Sequence, residues 1–197
     1  MPITINGNGT ITGLSVGGLP DGSVDRDTLA TGAKGSVLQV LQDVKSDDYS
    51  QTASGSTTYT VTGLEQAITL SNASNKVLVQ VVLSTDNWDS AYNGVHWWIN
   101  RSTSGSDNKL HVGDQIGSNR NRGTGSGGTN SYSVHTKNEV ATFLDTPGSV
   151  GAHTYNIQWK DGNADDGTFY VNRGNNNSDA TSHTIVVSSI TLTEIAV

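Results

Sequence analysis

The chain has no cysteine, so neither a disulfide framework nor a thiolate metal site is open to it. Its fold must hold by packing, and 197 residues are enough to bury a core without covalent staples. Long apolar runs are also missing: the longest, Val77 to Leu83, is broken by Gln80. No stretch reaches the length of a transmembrane helix, so membrane insertion is not expected. The opening Met1-Pro2-Ile3-Thr4-Ile5-Asn6-Gly7 lacks a basic segment followed by an apolar run. A secretory signal peptide is therefore not expected, and the chain reads as soluble and made in a cytoplasm.

Basic residues are few, at 11 Lys and Arg against 18 Asp and Glu, giving a net charge of −7 and a pI near 5.0. They are scattered, and the nearest thing to a cluster is Arg120 with Arg122 in a Gly/Ser/Asn loop. A phosphate-binding surface wants clustered cations, so nucleic acid is not an expected partner.

Good helix formers are comparatively few, and β-branched runs are broken by Gly, Asn and Asp clusters, as a sheet protein needs. Residues 1–34 differ from the rest. Ile3-Thr4-Ile5 and Thr10-Ile11-Thr12 are β-prone pieces between Gly-rich turns, and Leu19-Pro20-Asp21-Gly22 is a turn. Ser23 is placed to cap a short helical turn through Leu29. Such a segment cannot bury a core alone, so it is expected to lie on something or to fold with partner chains.

From residue 35 strand follows strand: 36–42, 57–62, 77–83, 95–99, 110–112, 140–145, 154–160, 169–171 and 185–195. Val77 to Leu83 is apolar on both faces, as in a strand buried within a sandwich. In the cleanest alternation Tyr155, Ile157 and Trp159 point inward while Asn156, Gln158 and Lys160 point outward. Many short strands with regular turn signals indicate an all-β, jelly-roll-like antiparallel sandwich. The expected division is an arm at 1–34 and a head at 35–197.

Several segments carry a family likeness. They are Gly35-Ser-Val-Leu-Gln-Val40, Thr57-Thr-Tyr-Thr-Val-Thr-Gly63-Leu64, Ala67-Ile-Thr69 and Ser74-Asn-Lys76-Val-Leu-Val79. Later come Phe143-Leu-Asp145-Thr-Pro147-Gly148, Thr154-Tyr-Asn-Ile-Gln158, Tyr170-Val-Asn172-Arg173 and Ser188-Ser-Ile-Thr-Leu-Thr-Glu194-Ile195. In this order they resemble the C-terminal domain of tail-fibre and virion structural proteins of tailed bacteriophages. Gly13-Leu-Ser-Val-Gly-Gly18-Leu-Pro-Asp-Gly-Ser23 with Asp27-Thr-Leu-Ala30 resembles a segment found upstream of such domains.

The resemblance implies a jelly roll of the C1q/tumour-necrosis-factor kind, a homotrimer, and a place on the virion. Residues 1–34 would attach it to other virion proteins or trimerise it, with Ile3, Ile5, Ile11, Leu14, Val16 and Leu19 as the contacts. Where related sequences often have a Pro-rich turn this chain has Leu70-Ser71-Asn72-Ala73, and its loops at 85–94 and 117–131 are its own. Host contact, a capsid-decoration or tail-adaptor role without a receptor, and a carbohydrate-binding module are the competing functions.

Candidate sites are sparse. Gly123-Thr-Gly125-Ser-Gly-Gly128 matches G-x-G-x-x-G but lacks the flanking strand and helix of a dinucleotide site, so it reads as a loop. Asp161-Gly-Asn163-Ala-Asp165-Asp166-Gly167 resembles the start of a calcium loop, yet Asp166 and Asn172 stand where Gly and Glu are required. The histidines at 96, 111, 135, 153 and 183 are dispersed. No carboxylate pair or nucleophile elbow stands out, so neither an enzyme nor a cofactor is expected.

Trp88, Asp89, Tyr92 and Trp98 form the one aromatic and polar group suited to a glycan. Trp97 and Trp98 must face opposite sides of a strand, one in the core and one outside. Packing beneath a loop or within a subunit interface is the more ordinary use of such rings.

Overall fold

The computed structural model describes residues 4–5, 11–12, 37–88, 94–126, 136–162 and 167–197, with 4–5, 11–12 and 87–88 as backbone. The chain divides into two compact units, Met1–Ser36 and Val37–Val197. In the first, β1 (Thr4–Ile5) and β2 (Ile11–Thr12) pair antiparallel, with Ile5 opposite Ile11. Ile3, Leu14, Val16, Leu19, the turn at 19–22 and the helical turn from Ser23 lie outside the described residues.

The second unit is β throughout, with no helix among its described residues. Its strands are β3 (Val37–Lys45), β4 (Tyr49–Thr52), β5 (Tyr59–Thr69), β6 (Lys76–Trp88), β7 (Val95–Thr103) and β8 (Ser106–Leu110). They continue with β9 (Gly125–Ser126), β10 (Lys137–Asp145), β11 (Ala152–Asp161), β12 (Thr168–Val171) and β13 (Ser188–Ile195).

In the six-stranded sheet the long β6 is central, with β10 along one side and β13, then β12, along the other. Strand β3 flanks β13, and β4 flanks β12. The five-stranded sheet runs β5-β11-β7-β8, with β9 also on β7. The two four-strand cores, β10-β6-β13-β3 and β5-β11-β7-β8, are all antiparallel, and successive strands cross between sheets as in a jelly roll. This is the expected fold class.

The period of two fills the space between the sheets. Val77, Val79, Val81 and Leu83 of β6 meet Tyr155, Ile157 and Trp159 of β11, all fully buried. Trp159 stacks on Tyr59 at 4.9 Å and meets Phe169 at 5.3 Å. Val61 and Leu64, three apart in β5, both point inward because the ladder to β11 is irregular there and Gly63 takes φ +76°. Such irregularity shifts the parity of a strand, and glycine meets the left-handed backbone without strain.

Asn172 is the pin of the six-stranded sheet. It is buried at φ +68°, its side-chain amide donates to the carbonyls of Lys45 and Asp47, and its Oδ1 accepts from Ser188. It thus joins the break between β3 and β4 to the break between β12 and β13.

Four sequence expectations need correction. Val77 to Leu83 is not buried on both faces: Val82 is 39% exposed and Leu78 half-buried, because no described residue covers that side of the sheet there. The expected loop at 85–94 is strand as far as Trp88, since β12 supplies partners from Thr85 to Trp88. The strand expected at 110–112 is instead 106–110, ended by His111 at φ +49°. The final strand begins at Ser188, and Ile185 and Val187 before it are exposed.

Candidate functional site

The outward surfaces of the two sheets differ in chemistry. On the five-stranded sheet, alternation brings His96, Trp98 and Asn100 of β7 to the outside, opposite Lys160, Gln158 and Asn156 of β11. The expectation for the tryptophan pair holds: Trp97 is 1% exposed in the core and Trp98 faces the other way. Trp98 is nonetheless 6% exposed. Lys109 of β8 lays its ammonium 3.7 Å from the centre of the indole, His96 stacks on it at 5.8 Å, and Gln158 accepts from its Nε1 at 3.1 Å. A cation over an indole face is held by the ring quadrupole. Trp98 is therefore a floor beneath Lys109 and not an open platform.

The segment after β8 closes over the end of this surface. Thr124 donates its backbone N–H to the Trp97 carbonyl, and Gly125 packs on the Trp97 indole beside Glu139. Glu139 Oε2 accepts from Trp97 Nε1 at 2.6 Å, and its other oxygen pairs with Lys137. A Cβ at Gly125 would collide with Glu139 Oε2 and stand 2.6 Å from Trp97 Nε1, so glycine fits there where a larger residue would have to displace the indole or the segment. The result is a depression of about 280 Å³ lined by His96, Asp114, Asn121, Arg122 and Thr124.

Three cations thus converge on one surface. Lys109 and Lys160 flank Trp98 on neighbouring strands, and Arg122 comes in from the closing segment. None of them is in an ion pair among the described residues. Burial, then the charges of Lys109 and Lys160, holds His96 down at about 4. Burial, then Arg122 and Lys160, lowers Lys109 as well. Asp107 lies beside them, accepting from Asn100 and Gln158.

The outer side of the six-stranded sheet is apolar. Val82 of β6 lies beside Val140 of β10, and Leu78 beside Leu144, with Val40 and Val44 two strands away beyond β13. Val140 is 70% exposed, and Val37, Val40, Val44 and Leu144 are about half exposed or more. A row of Thr142, Gln80, Thr191 and Gln42 crosses this surface, with Gln42 donating to Thr191. The outward positions of these strands between 40 and 44, 76 and 82, 138 and 144, and 189 and 195 carry no carboxylate. Further along, the 172–187 segment covers the sheet: Ser84 donates to the Val187 carbonyl and Asp86 accepts from the Asn175 N–H.

Of the other expected contacts, Trp88 is placed by its backbone opposite Thr168, while Asp89 and Tyr92 lie outside the described residues. Most of the 161–167 loop does too; Asp161 is buried and accepts from the Gly167 N–H. Gly125–Ser126 of the glycine-rich segment is the short strand β9 on β7, and 127–128 lie outside. Among the described residues no three His, Asp or Glu side chains gather as metal ligands.

The interior carboxylates are occupied by protein partners. Asp145 accepts from Tyr155 at 2.7 Å and pairs with Arg101, and burial with that hydrogen bond pushes the Tyr155 hydroxyl up. Glu194, buried, accepts from Ser71, Asn75 and Gln39.

The fold and surfaces define an antiparallel jelly-roll protein with one apolar and one polar, aromatic outer surface. No protein-family model matches the chain, and no curated protein matches it. Among solved structures it is similar to a chain in the structure of infectious bursal disease virus, Gx strain, at 9% identity and a TM-score of 0.40. The match covers 80% of this chain and 38% of the viral chain, so this chain spans well under half of that length.

Proposed function

We propose that the chain is a structural protein of a tailed-bacteriophage virion: a homotrimeric short fibre or spike that assembles through its six-stranded sheet and displays the other sheet to the host surface. The observation that carries this reading is the bare apolar surface around Val40, Val82, Val140 and Leu144. Contiguous exposed apolar area marks a surface that is covered in the working assembly. A second copy is the occupant that the charge favours. A chain of net charge −7 repels its own copies, but this surface presents no carboxylate to a copy. The number three, the phage assignment and attachment of 1–34 to other virion proteins rest on the family resemblance of the sequence.

The proposed role is binding and not catalysis, since Glu139, Asp145 and Glu194 spend their oxygens on hydrogen bonds within the fold. Light scattering on the full chain is the test, with three times the 20.7 kDa of one chain expected. A clean monomer at micromolar concentration defeats the assembly claim. Imaging of labelled particles separates a fibre from a capsid decoration or tail adaptor: density at a capsid vertex or neck removes the host-contact role.

A further inference from the structure

We infer that the outer surface of the five-stranded sheet is a binding site for an acidic glycan, with Lys109, Lys160 and Arg122 taking its anionic group and Trp98 positioning Lys109. The inference deepens the display reading above and rests on it for the claim that this side faces outward.

Three observations carry it. First, cations that repel one another and lack a carboxylate partner among the described residues are costly to hold together. Here they are gathered on one surface of a protein with only 11 basic residues and a net charge of −7. An anionic ligand would relieve that repulsion. Second, the ammonium of Lys109 is fixed 3.7 Å from the Trp98 ring centre, and a donor held in place loses less freedom on binding than one on a free stem. Third, the depression beside it, at about 280 Å³, lies near the lower end of the roughly 300 Å³ and upward of small-ligand pockets. Asn121 lines it and Asn156 lies on the same outer surface, each with only one side of its amide engaged within the fold, leaving amide groups for sugar hydroxyls.

Asp107 and Asp114, at the same surface, set a limit on the ligand. A densely charged polymer would press its neighbouring charges against them. A sugar bearing one carboxylate or phosphate among hydroxyls would not, which favours an acidic glycan over a nucleic acid.

Calorimetry on the full chain tests this with four probes: a galactose oligomer ending in one galacturonic acid, a galactose oligomer bearing one phosphate, neutral galactose oligomers and single-stranded DNA. Binding of the galacturonate-ended or the phosphorylated oligomer is expected, and which of them binds identifies carboxylate or phosphate as the group recognised. Neutral oligomers should fail, and added salt should weaken binding. Lys109→Gln with Lys160→Gln, both at solvent-facing positions, should lose at least 10-fold in affinity with no lowering of the melting temperature. Trp98→Leu should lose several-fold, while Trp98→Phe, which keeps a ring beneath the ammonium, should retain most of the affinity.

Equal binding of neutral oligomers, an unchanged affinity in the double lysine variant, or DNA binding as tight as the acidic sugar would each overturn the inference. The mass of each sample keeps the two proposals apart. A trimer that ignores all four probes sinks the site alone, and a monomer that binds the acidic sugar sinks the assembly alone.

Discussion

The two sheets are built by the same alternation and bury the same kind of inward side chain, yet their outward residues have opposite chemistry. One side shows Val40, Val82, Val140 and Leu144 to solvent; the other shows Lys160, Gln158 and Asn156 around a covered Trp98 and His96. In a sandwich of two sheets either outward side can be polar, since the core needs only the inward residues. An outward row of β-branched and aliphatic residues is thus not a demand of this fold, and neither is a trio of cations without an ion-pair partner among the described residues. The contrast is what the two proposals rest on: one side to be covered by copies, the other to meet a ligand.

The hardest blow to that contrast is charge on the apolar side. Val40→Glu with Val140→Glu puts carboxylates where copies are proposed to meet, and both positions are already solvent-facing in one chain. Assembly should weaken by roughly 100-fold, about 2.8 kcal/mol at 1.4 kcal/mol per tenfold. Denaturant unfolding at a concentration too low for assembly should hardly change. Sedimentation of both forms checks this, and the lysine variants of the other side should sediment as the parent does. If the valine pair leaves the mass untouched, the apolar side is not where copies meet.

How much of this was legible in the sequence depends on the range of each signal. The inward set Tyr155, Ile157 and Trp159 and the opposed Trp97 and Trp98 follow from local alternation, and the structure places them so. Alternation cannot say what lies beyond a sheet, and so Val82 was expected inside and is half outside. Trp88 was expected in a loop because its strand partner, Thr168, lies far along the chain. For the same reason the basic residues looked scattered: Lys109, Arg122 and Lys160 are distant in sequence and meet only through the β7 ladders and the segment that closes on β7. Asn172 stands in a family-like segment of the sequence, but its role as a pin gave no local signal, since its left-handed backbone and its hydrogen bonds belong to two breaks in separate strands.

The join between core and polar surface is the next place to press. Gly125→Ala would drive a methyl group into Glu139 and the Trp97 indole. Over-packing of this kind costs about 2 kcal/mol, read as a lower denaturant midpoint. Because Arg122 sits on the same segment, binding of the acidic sugar should fall by more than the stability loss explains. A variant that melts normally would show that the segment shifts without strain.

A smaller effect is expected at Glu194, which ties Ser71, Asn75 and Gln39 into the sandwich. Burial pushes its carboxyl up, but the hydrogen bonds from Asn75, Gln39 and Ser71 outweigh that and hold it below the ordinary value of 4.5. A carboxyl lowered on folding stabilises the protein above its unfolded value, and that contribution is lost as pH falls through the folded one. Glu194→Gln should cost about 1.5 kcal/mol at neutral pH, within the range for a buried charged hydrogen-bond acceptor. It should also flatten the acid limb of the stability curve. An acid limb of unchanged slope would show that this carboxylate is not among the groups that set it.

The finest distinction between the two sides is the titration of His96. Its folded value of about 4 lies below the ordinary 6.5, so between those values the unfolded chain takes up a proton that the folded chain refuses. The stabilisation is present in full above pH 6.5, is lost progressively as pH falls toward 4, and changes no further below it. His96→Gln should remove this slope. Burial is the largest cause of the shift and the charges of Lys109 and Lys160 come after it. Lys109→Gln with Lys160→Gln should therefore move the midpoint only part of the way back, as followed by NMR of the ring protons. Val40→Glu with Val140→Glu, on the far sheet, should leave it where it is. A midpoint that ignores the lysines but follows the valines would mean that the polar surface is not the electrostatic unit described for it, and the division of labour between the sheets would have to be redrawn.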